Sequence, residues 1–276
     1  MKKTFLLSCL MLAAMPVMAA YTGHVYVDKN KNGVFDQSEK PLAGIKVSDG
    51  LNVVETAADG SFTLPGHERE RFIFITTPSG YKTFNRHYHK IEKKQSGYDF
   101  GLIPYSGRIR KDGSHRYIHI TDTEIFNTEN HADWVNNVRD YARNEQAAFI
   151  IHTGDICYEK GLKAHIKLMN TENMDCPVFY CIGNHDLVKG KYGEELFESI
   201  YGPVYYSFDA GNVHYVVTPM PGGDHAPGYT SDDVCRWLKN DLAHIRPGTP
   251  VVVFNHDLLT YEDTFIFKSK NAEALI

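Results

Sequence analysis

Four short polar clusters in this chain each follow an apolar run. Asp122-Thr-Glu124 follows residues 117–121, Gly154-Asp155 follows 147–152, Asn184-His185-Asp186 follows 177–182, and His256-Asp257 follows 250–254. Carboxylates, an amide oxygen and an imidazole are donors that suit divalent ions such as manganese, iron, zinc or magnesium. Two such ions about 3.5–4 Å apart need a bridging carboxylate. Together they can hold a hydroxide in line with phosphorus and neutralise the non-bridging oxygens, so no protein nucleophile is required. A Gly-Asp pair after a strand is common, and Asp122 or Asp155 alone would read as a turn carboxylate or helix cap, His185 as a hydrogen-bonded turn histidine. Four clusters in this order, with Asn-His-Asp among them, are specific.

Ligands of open α/β sheets bind beyond the carboxyl ends of the strands, so loops far apart in sequence can meet there. The apolar runs at 117–121, 147–152, 177–182 and 250–254 read as those strands, joined by further strands at 205–208 and 213–217. A helix is expected over 132–144 with Trp134, Val138 and Tyr141 on one face. Another is expected over 231–245, with Ser231 as N-cap and Asp232 and Asp233 suiting its N-terminus. Residues 116–276 therefore read as an α/β domain. A polar, glycine-bearing linker at 104–115 precedes it. Residues 21–103 alternate in short strand patterns at 23–27, 44–47, 60–64 and 71–75, broken by glycine turns, and read as a small all-β sandwich.

The clusters, in this order, resemble those of the calcineurin-like metallophosphoesterases: Asp-x-His, Gly-Asp, Gly-Asn-His-Asp/Glu, a later His, and a final Gly-His-x-His. Residues 205–217 are similar to the strand pair that follows Gly-Asn-His in those enzymes, and the resemblance runs from about residue 117 to the end. It implies a four-layer α-β-β-α core in which Asp155 bridges two ions, Asp122 and Glu124 hold the first, and Asn184 and His256 hold the second. His185 would then be catalytic rather than a ligand, stabilising or protonating the leaving oxygen, with Asp186 orienting its ring. The implied reaction is metal-dependent hydrolysis of a phosphate mono- or diester by the bridging hydroxide. Two departures stand out. Glu124 occupies a position where the family usually has His, which favours harder ions such as manganese or magnesium, or else makes Glu124 a non-ligand. No Gly-His-x-His follows His256, so the pattern reads as truncated and each ion is short of one imidazole.

In the first domain, the order Gly23-His-Val-Tyr-Val-Asp28, then residues 41–47, then 56–64, resembles prealbumin-like and collagen-adhesin B-type repeat domains, which implies a spacer or adaptor. That resemblance also frames the competing reading, a catalytically degenerate surface-associated protein that binds through its β domain. Within the same domain Asp28, Asn30, Asn32, Asp36 and Glu39 match the oxygen positions one, three, five, nine and twelve of a calcium loop, with Gly33 at position six. The flanks read as strand, so the expectation is a calcium loop carried by a β domain, set against a solvated turn.

Other histidines read blandly: His119, His152 and His214 lie within strands, where a satisfied core histidine is the ordinary outcome. The loop Gly222-Gly-Asp224-His225 is different, since a polar loop after a strand can reach a pocket at the strand ends.

Lys2 and Lys3, an apolar run over 5–17 and the small-residue exit Val17-Met18-Ala19-Ala20 have the order of a cleavable signal peptide over residues 1–20. A run of about 13 residues is short of the roughly 20 needed to span a bilayer, and it continues past Cys9, which argues against lipidation there. A secreted or periplasmic protein with no membrane span after cleavage is expected. Without Lys2 and Lys3, 27 basic residues face 34 acidic ones, with no basic cluster to track a nucleic-acid backbone. A phosphoester substrate, not nucleic acid, is the expected partner. Cys157, Cys176, Cys181 and Cys235 permit disulfides without requiring them, and an extended strand between Cys176 and Cys181 keeps that pair too far apart to bridge.

Overall fold

Alternating residues give each strand of the first domain one face to bury, and in the computed structural model, which describes residues 20–257, those faces meet. The strands are β1 (Tyr21–Val27), β2 (Lys40–Pro41), β3 (Lys46–Ser48), β4 (Val53–Glu55), β5 (Ser61–Leu64), β6 (Phe72–Ile75), β7 (Tyr81–Thr83), β8 (Tyr88–Lys90) and β9 (Phe100–Pro104). One sheet runs β2-β1-β9-β7 with β5 also on β1, and the other runs β4-β3-β6-β8. Val25, Val47, Leu64, Ile73, Ile75 and Leu102 close the sandwich with no exposed surface. The expected leader at residues 1–20, apart from Ala20, lies outside the described residues.

The second domain follows with β10 (Tyr117–Ile120), α1 (Ala132–Asn144), β11 (Phe149–His152), α2 (Tyr158–Leu168), β12 (Val178–Tyr180), a 3-10 turn (Asn184–Asp186), α3 (Glu195–Tyr201), β13 (Tyr206–Ala210), β14 (Val213–Val217), α4 (Ser231–Leu242) and β15 (Val251–Phe254). Strands β10, β11 and β12 form one parallel sheet, while β13, β14 and β15 form a second in which β14 and β15 are parallel. The sheets pack face to face through aromatic rings, with Phe179 and Phe208 stacked at 3.6 Å between centroids. Helices α1 and α2 cover the outer face of the first sheet and α4 that of the second, giving the expected α-β-β-α layering.

Three local expectations are corrected. Helix α1 buries Val135 and Ala142, whereas Trp134 and Tyr141 are 40% and 58% exposed, because small residues let the helix approach the sheet. The N-cap of α4 is Thr230, not Ser231: its hydroxyl accepts from Asp233 N while Asp233 returns to Thr230 N at 3.0 Å, a reciprocal capping box. Helix α4 also ends at Leu242. Among the described residues the cysteines form no disulfide, and Cys157, Cys176 and Cys181 are buried thiols. No described helix is long and apolar enough to cross a membrane.

The first domain is not strung on a tether. Phe72, Phe74 and Tyr88 belong to the same apolar core as Phe149, Phe208 and Trp237 of the second domain. Asp209 N donates to Thr77 O at 2.8 Å across the junction. Polar links cross it too, with Lys46 Nζ of the first domain 3.3 Å from Asp209, which belongs to a buried cluster on the other side. His214 is fully buried, with Nδ1 2.6 Å from Asp209 and Nε2 2.8 Å from Asp241. Burial opposes charge on this imidazole, but the two carboxylates outweigh it and raise its proton affinity. Ser207 joins Asp241 at 2.9 Å to Thr76 of the first domain at 2.8 Å. A spacer, as the resemblance of the first domain implied, would not share a core with the domain it spaces.

Candidate metal centre

Four strands deliver the polar clusters to one end of the second domain. Asp122 follows β10, Asp155 follows β11, the turn Asn184–Asp186 follows β12, and His256 follows β15 of the opposite sheet. Backbone hydrogen bonds tie the loops together: Asp122 N donates to Gly154 O at 3.0 Å, and Thr153 N to Ile120 O at 2.9 Å. Two glycines allow the approach. A Cβ on Gly154 would lie 2.5 Å from Gly183 N, and one on Gly183 would lie 2.2 Å from the Asp155 carboxylate. Asp122, Glu124, Asp155, Cys157 and Tyr158 all adopt positive φ, a concentration of strain of the kind found where geometry serves a function.

Ligand atoms of Asp122, Asp155 and His256 lie within 4.8 Å of one another. His256 Nδ1 donates to Thr153 O at 2.7 Å, which turns its Nε2 toward Asp155 Oδ2 at 3.5 Å. An imidazole whose far nitrogen is fixed by a carbonyl, with its other nitrogen facing carboxylates, is in the posture of a metal ligand. Burial opposes charge on His256, yet Asp155 pushes its pKa up to about 9, and the same negative field attracts a divalent cation. Two carboxylates and an imidazole thus fit a divalent metal. Asn184 adjoins them, since the following amide, His185 N, donates to Asp155 Oδ1 at 3.1 Å. Glu124 N reaches only Asp155 O at 3.4 Å, and its carboxylate stands outside the close trio.

His185 stands beside the trio, but its neighbour in sequence does not hold it. Asp186 is fully buried and accepts from Gly183 N at 2.9 Å and Cys157 N at 3.0 Å, so it fixes the backbone of two loops and does not orient the His185 ring. Burial pushes its pKa up to about 6 against those amides. The partner of His185 Nδ1 is Asp224 Oδ2, at 2.9 Å. The hydrogen bond that His185 donates to Asp224 raises the proton affinity of the imidazole. Tyr158 stacks obliquely on the ring, its hydroxyl 3.4 Å from the same nitrogen. The glycine-rich loop thus reaches the site with Asp224; the only sign of this in the sequence was its polarity after a strand. His152 is buried and neutral behind the site, bound to Thr123 Oγ1 at 2.8 Å, and His119 meets Thr153 Oγ1 at 2.9 Å.

Two clusters lie in the first domain. Asp49, His67 and Glu70 also bring ligand atoms within 4.8 Å. Their hydrogen bonds are taken within the protein: Asp49 accepts from Leu51 N and Asn52 N, and Glu70 from Tyr21 and His67 N. In the expected calcium loop, Asp28 and Glu39 are buried, Gly33 N donates to Asp28 Oδ2 at 2.9 Å, and Lys29 N to Glu39 Oε1 at 2.9 Å. Asn30 and Asn32 amides donate to Asp36 at 2.7 and 3.0 Å.

Comparison with known proteins returns two family matches. Residues 29–104 match the family described as N terminal of Calcineurin-like phosphoesterase, and residues 115–274 match Calcineurin-like phosphoesterase. Comparison with curated proteins finds no match.

Proposed function

Since the chain belongs to the calcineurin-like phosphoesterase family, we propose that it is a hydrolase of phosphate mono- or diesters working through two divalent ions. The observation that carries this reading is the convergence of Asp122, Asp155 and His256 at the strand ends with His185 beside them. Asp155 would bridge the two ions, Asp122 would hold one, and Asn184 and His256 would hold the other. The Glu124 carboxylate lies outside the close trio. When bound, the ions supply the charge that activates water and neutralises the phosphoryl oxygens.

The chain's own part is to position and to move a proton. As a new P–O bond forms from water and the bond to the leaving oxygen breaks, His185 Nε2 gives its proton to that oxygen, keeps Nδ1–H on Asp224, and the proton of the attacking water passes to solvent. Within the trio, Asp155 is held by the His185 amide and His256 by the Thr153 carbonyl, so those two need little reorganisation. The order of residues 1–20 supports action outside the cytosol.

Purified protein should hydrolyse 4-nitrophenyl phosphate or bis(4-nitrophenyl) phosphate with added manganese, lose that activity to a chelator, and regain it on re-addition. No turnover of either ester with manganese, magnesium, iron or zinc would remove the proposal, and the preferred ester separates phosphatase from phosphodiesterase.

Calcium at Asp28, Asn30, Asn32, Asp36 and Glu39 is a second part of the proposal, supported by the buried Asp28 and Glu39 and the Gly33 amide on Asp28. Millimolar calcium should raise the melting temperature of the full chain, and Glu39→Ala should abolish the rise. An unchanged melting temperature in the parent protein would leave this segment as a self-bonded turn.

A further inference from the structure

The loop joining β14 to α4 is gripped from two sides. On the site side, Asp224 N donates to Asn184 O at 3.1 Å and Asp224 Oδ2 accepts from His185 Nδ1 at 2.9 Å. Gly223 is pressed so close that a Cβ there would stand 2.6 Å from Asn184 O. On the far side the grip comes from the first domain. Arg69 Nη2 donates to Gly228 O at 2.8 Å, and its Nη1 pairs with Asp233 at 2.9 Å where α4 begins. Arg71 pairs with the buried Glu194 at 2.8 Å, and Glu194 accepts from Gly228 N at 2.9 Å. Gly193 N closes the loop on Ala226 O at 2.8 Å.

The side chain of His185 is 35% exposed, and among the described residues Asp224 is the only carboxylate on its ring. Without that acceptor the imidazole is free to turn about its side-chain bonds and to exchange tautomers. With it, Nδ1 keeps a hydrogen and Nε2 is aimed away from the loop. An aspartate that accepts from one imidazole nitrogen in this way sets the orientation of the other.

We propose that the first domain is part of the catalytic apparatus: Arg69 and Arg71 brace residues 218–230 so that Asp224, a positioning residue, holds the His185 ring for the leaving oxygen. The inference rests on the hydrolase reading above. It accounts for a β domain that shares a core with its neighbour, and it makes the loop the path from one domain to the site.

The test compares the parent protein with Asp224→Ala, Asp224→Glu, Arg69→Ala and His185→Gln, each loaded with manganese, on phosphodiesters whose leaving groups range from 4-nitrophenolate to methoxide. A group that delivers a proton matters most for the poorest leaving group. Asp224→Ala should lower kcat on the methyl ester by on the order of 10²-fold and on the 4-nitrophenyl ester far less, with KM and metal content unchanged. Asp224→Glu should restore part of the loss, and Arg69→Ala should show the same skew at a few-fold. A second readout needs no turnover: the Nδ1 proton of His185 in metal-free protein, identified by its loss in His185→Gln, should weaken or vanish in Asp224→Ala and shift in Arg69→Ala. An unaltered ring signal in Asp224→Ala, or a rate loss equal across leaving groups, overturns the proposal. If the parent protein hydrolyses no ester, the hydrolase reading fails while the ring signal still decides whether Asp224 and the first domain fix His185.

Discussion

Asp155→Ala should empty the centre of metal and lower phosphoester turnover by on the order of 10³-fold or more, since the metal charge it helps to hold contributes several kcal/mol to the transition state. The carboxylate has three tasks in the structure. It belongs to the close trio, it faces His256 at 3.5 Å, and it accepts from His185 N at 3.1 Å. His185→Ala removes none of these carboxylate contacts made through the backbone, so its metal content should stay near that of the parent while kcat falls by about 10²–10⁴. Metal analysis after gel filtration, followed by kinetics in excess manganese, separates the two. Equal loss of metal in both variants would show that the bridging and proton-delivery roles are wrongly divided between Asp155 and His185.

Arg71→Ala should cost about 3–5 kcal/mol of stability, because it leaves a buried acidic pair without its cation. Arg71 lies 2.8 Å from Glu194 and 3.0 Å from Glu198, carboxylates with side chains 0% and 5% exposed, and its guanidinium also covers the Tyr192 ring at 4.5 Å. For a protein of this size that energy corresponds to a melting temperature lower by roughly 10 °C. One guanidinium cannot neutralise two buried carboxylates. Burial pushes the Glu198 pKa up to about 8 from 4.5, against the pull of Arg71. Between those values the folded state binds more protons than the unfolded state, so this group's contribution to stability declines as pH rises from about 4.5 through about 8. The Arg71→Ala deficit should therefore be larger at pH 9 than at pH 5, where the protonated Glu198 carboxyl needs no cation. Thermal unfolding of both proteins across that range checks the sign, and a deficit independent of pH would show that the lost energy is packing rather than charge.

Much of the scaffold was legible in the chain. Strands β10, β11, β14 and β15 lie within a residue or two of the apolar runs that announced them; β11 and β14 are buried almost throughout, as a nearly continuous apolar run requires, while β10 and β15 are partly exposed. The strands β4, β7 and β8 were not legible, since most of their side chains are half-buried or exposed and leave no apolar pattern. Helices α2 and α3 escaped for a chemical reason. Helix α2 buries Gly161 and His165, and α3 buries Glu198 beside Arg71, so their inner faces do not read as apolar stripes. In α1 the large aromatics drew the reading to the wrong face.

By itself the sequence determined the family and the α/β core behind a β domain, and it singled out Asp122, Asp155 and His256, whose ligand atoms the fold brings within 4.8 Å of one another. It did not determine which carboxylate serves His185. Adjacency favoured Asp186, but a 3-10 turn points successive side chains apart, and Asp186 turns inward to cap two amides while Asp224, 39 positions away, arrives from another loop. Nor did it determine the place of the first domain. Nothing in the local pattern around Arg69 and Arg71 names their partners; tertiary packing brings them to Gly228, Glu194 and Asp233. Hydrophobic pattern is a local property and survives in one dimension; charge pairing across domains depends on which surfaces the folded chain brings within about 3 Å, and that is settled by tertiary packing.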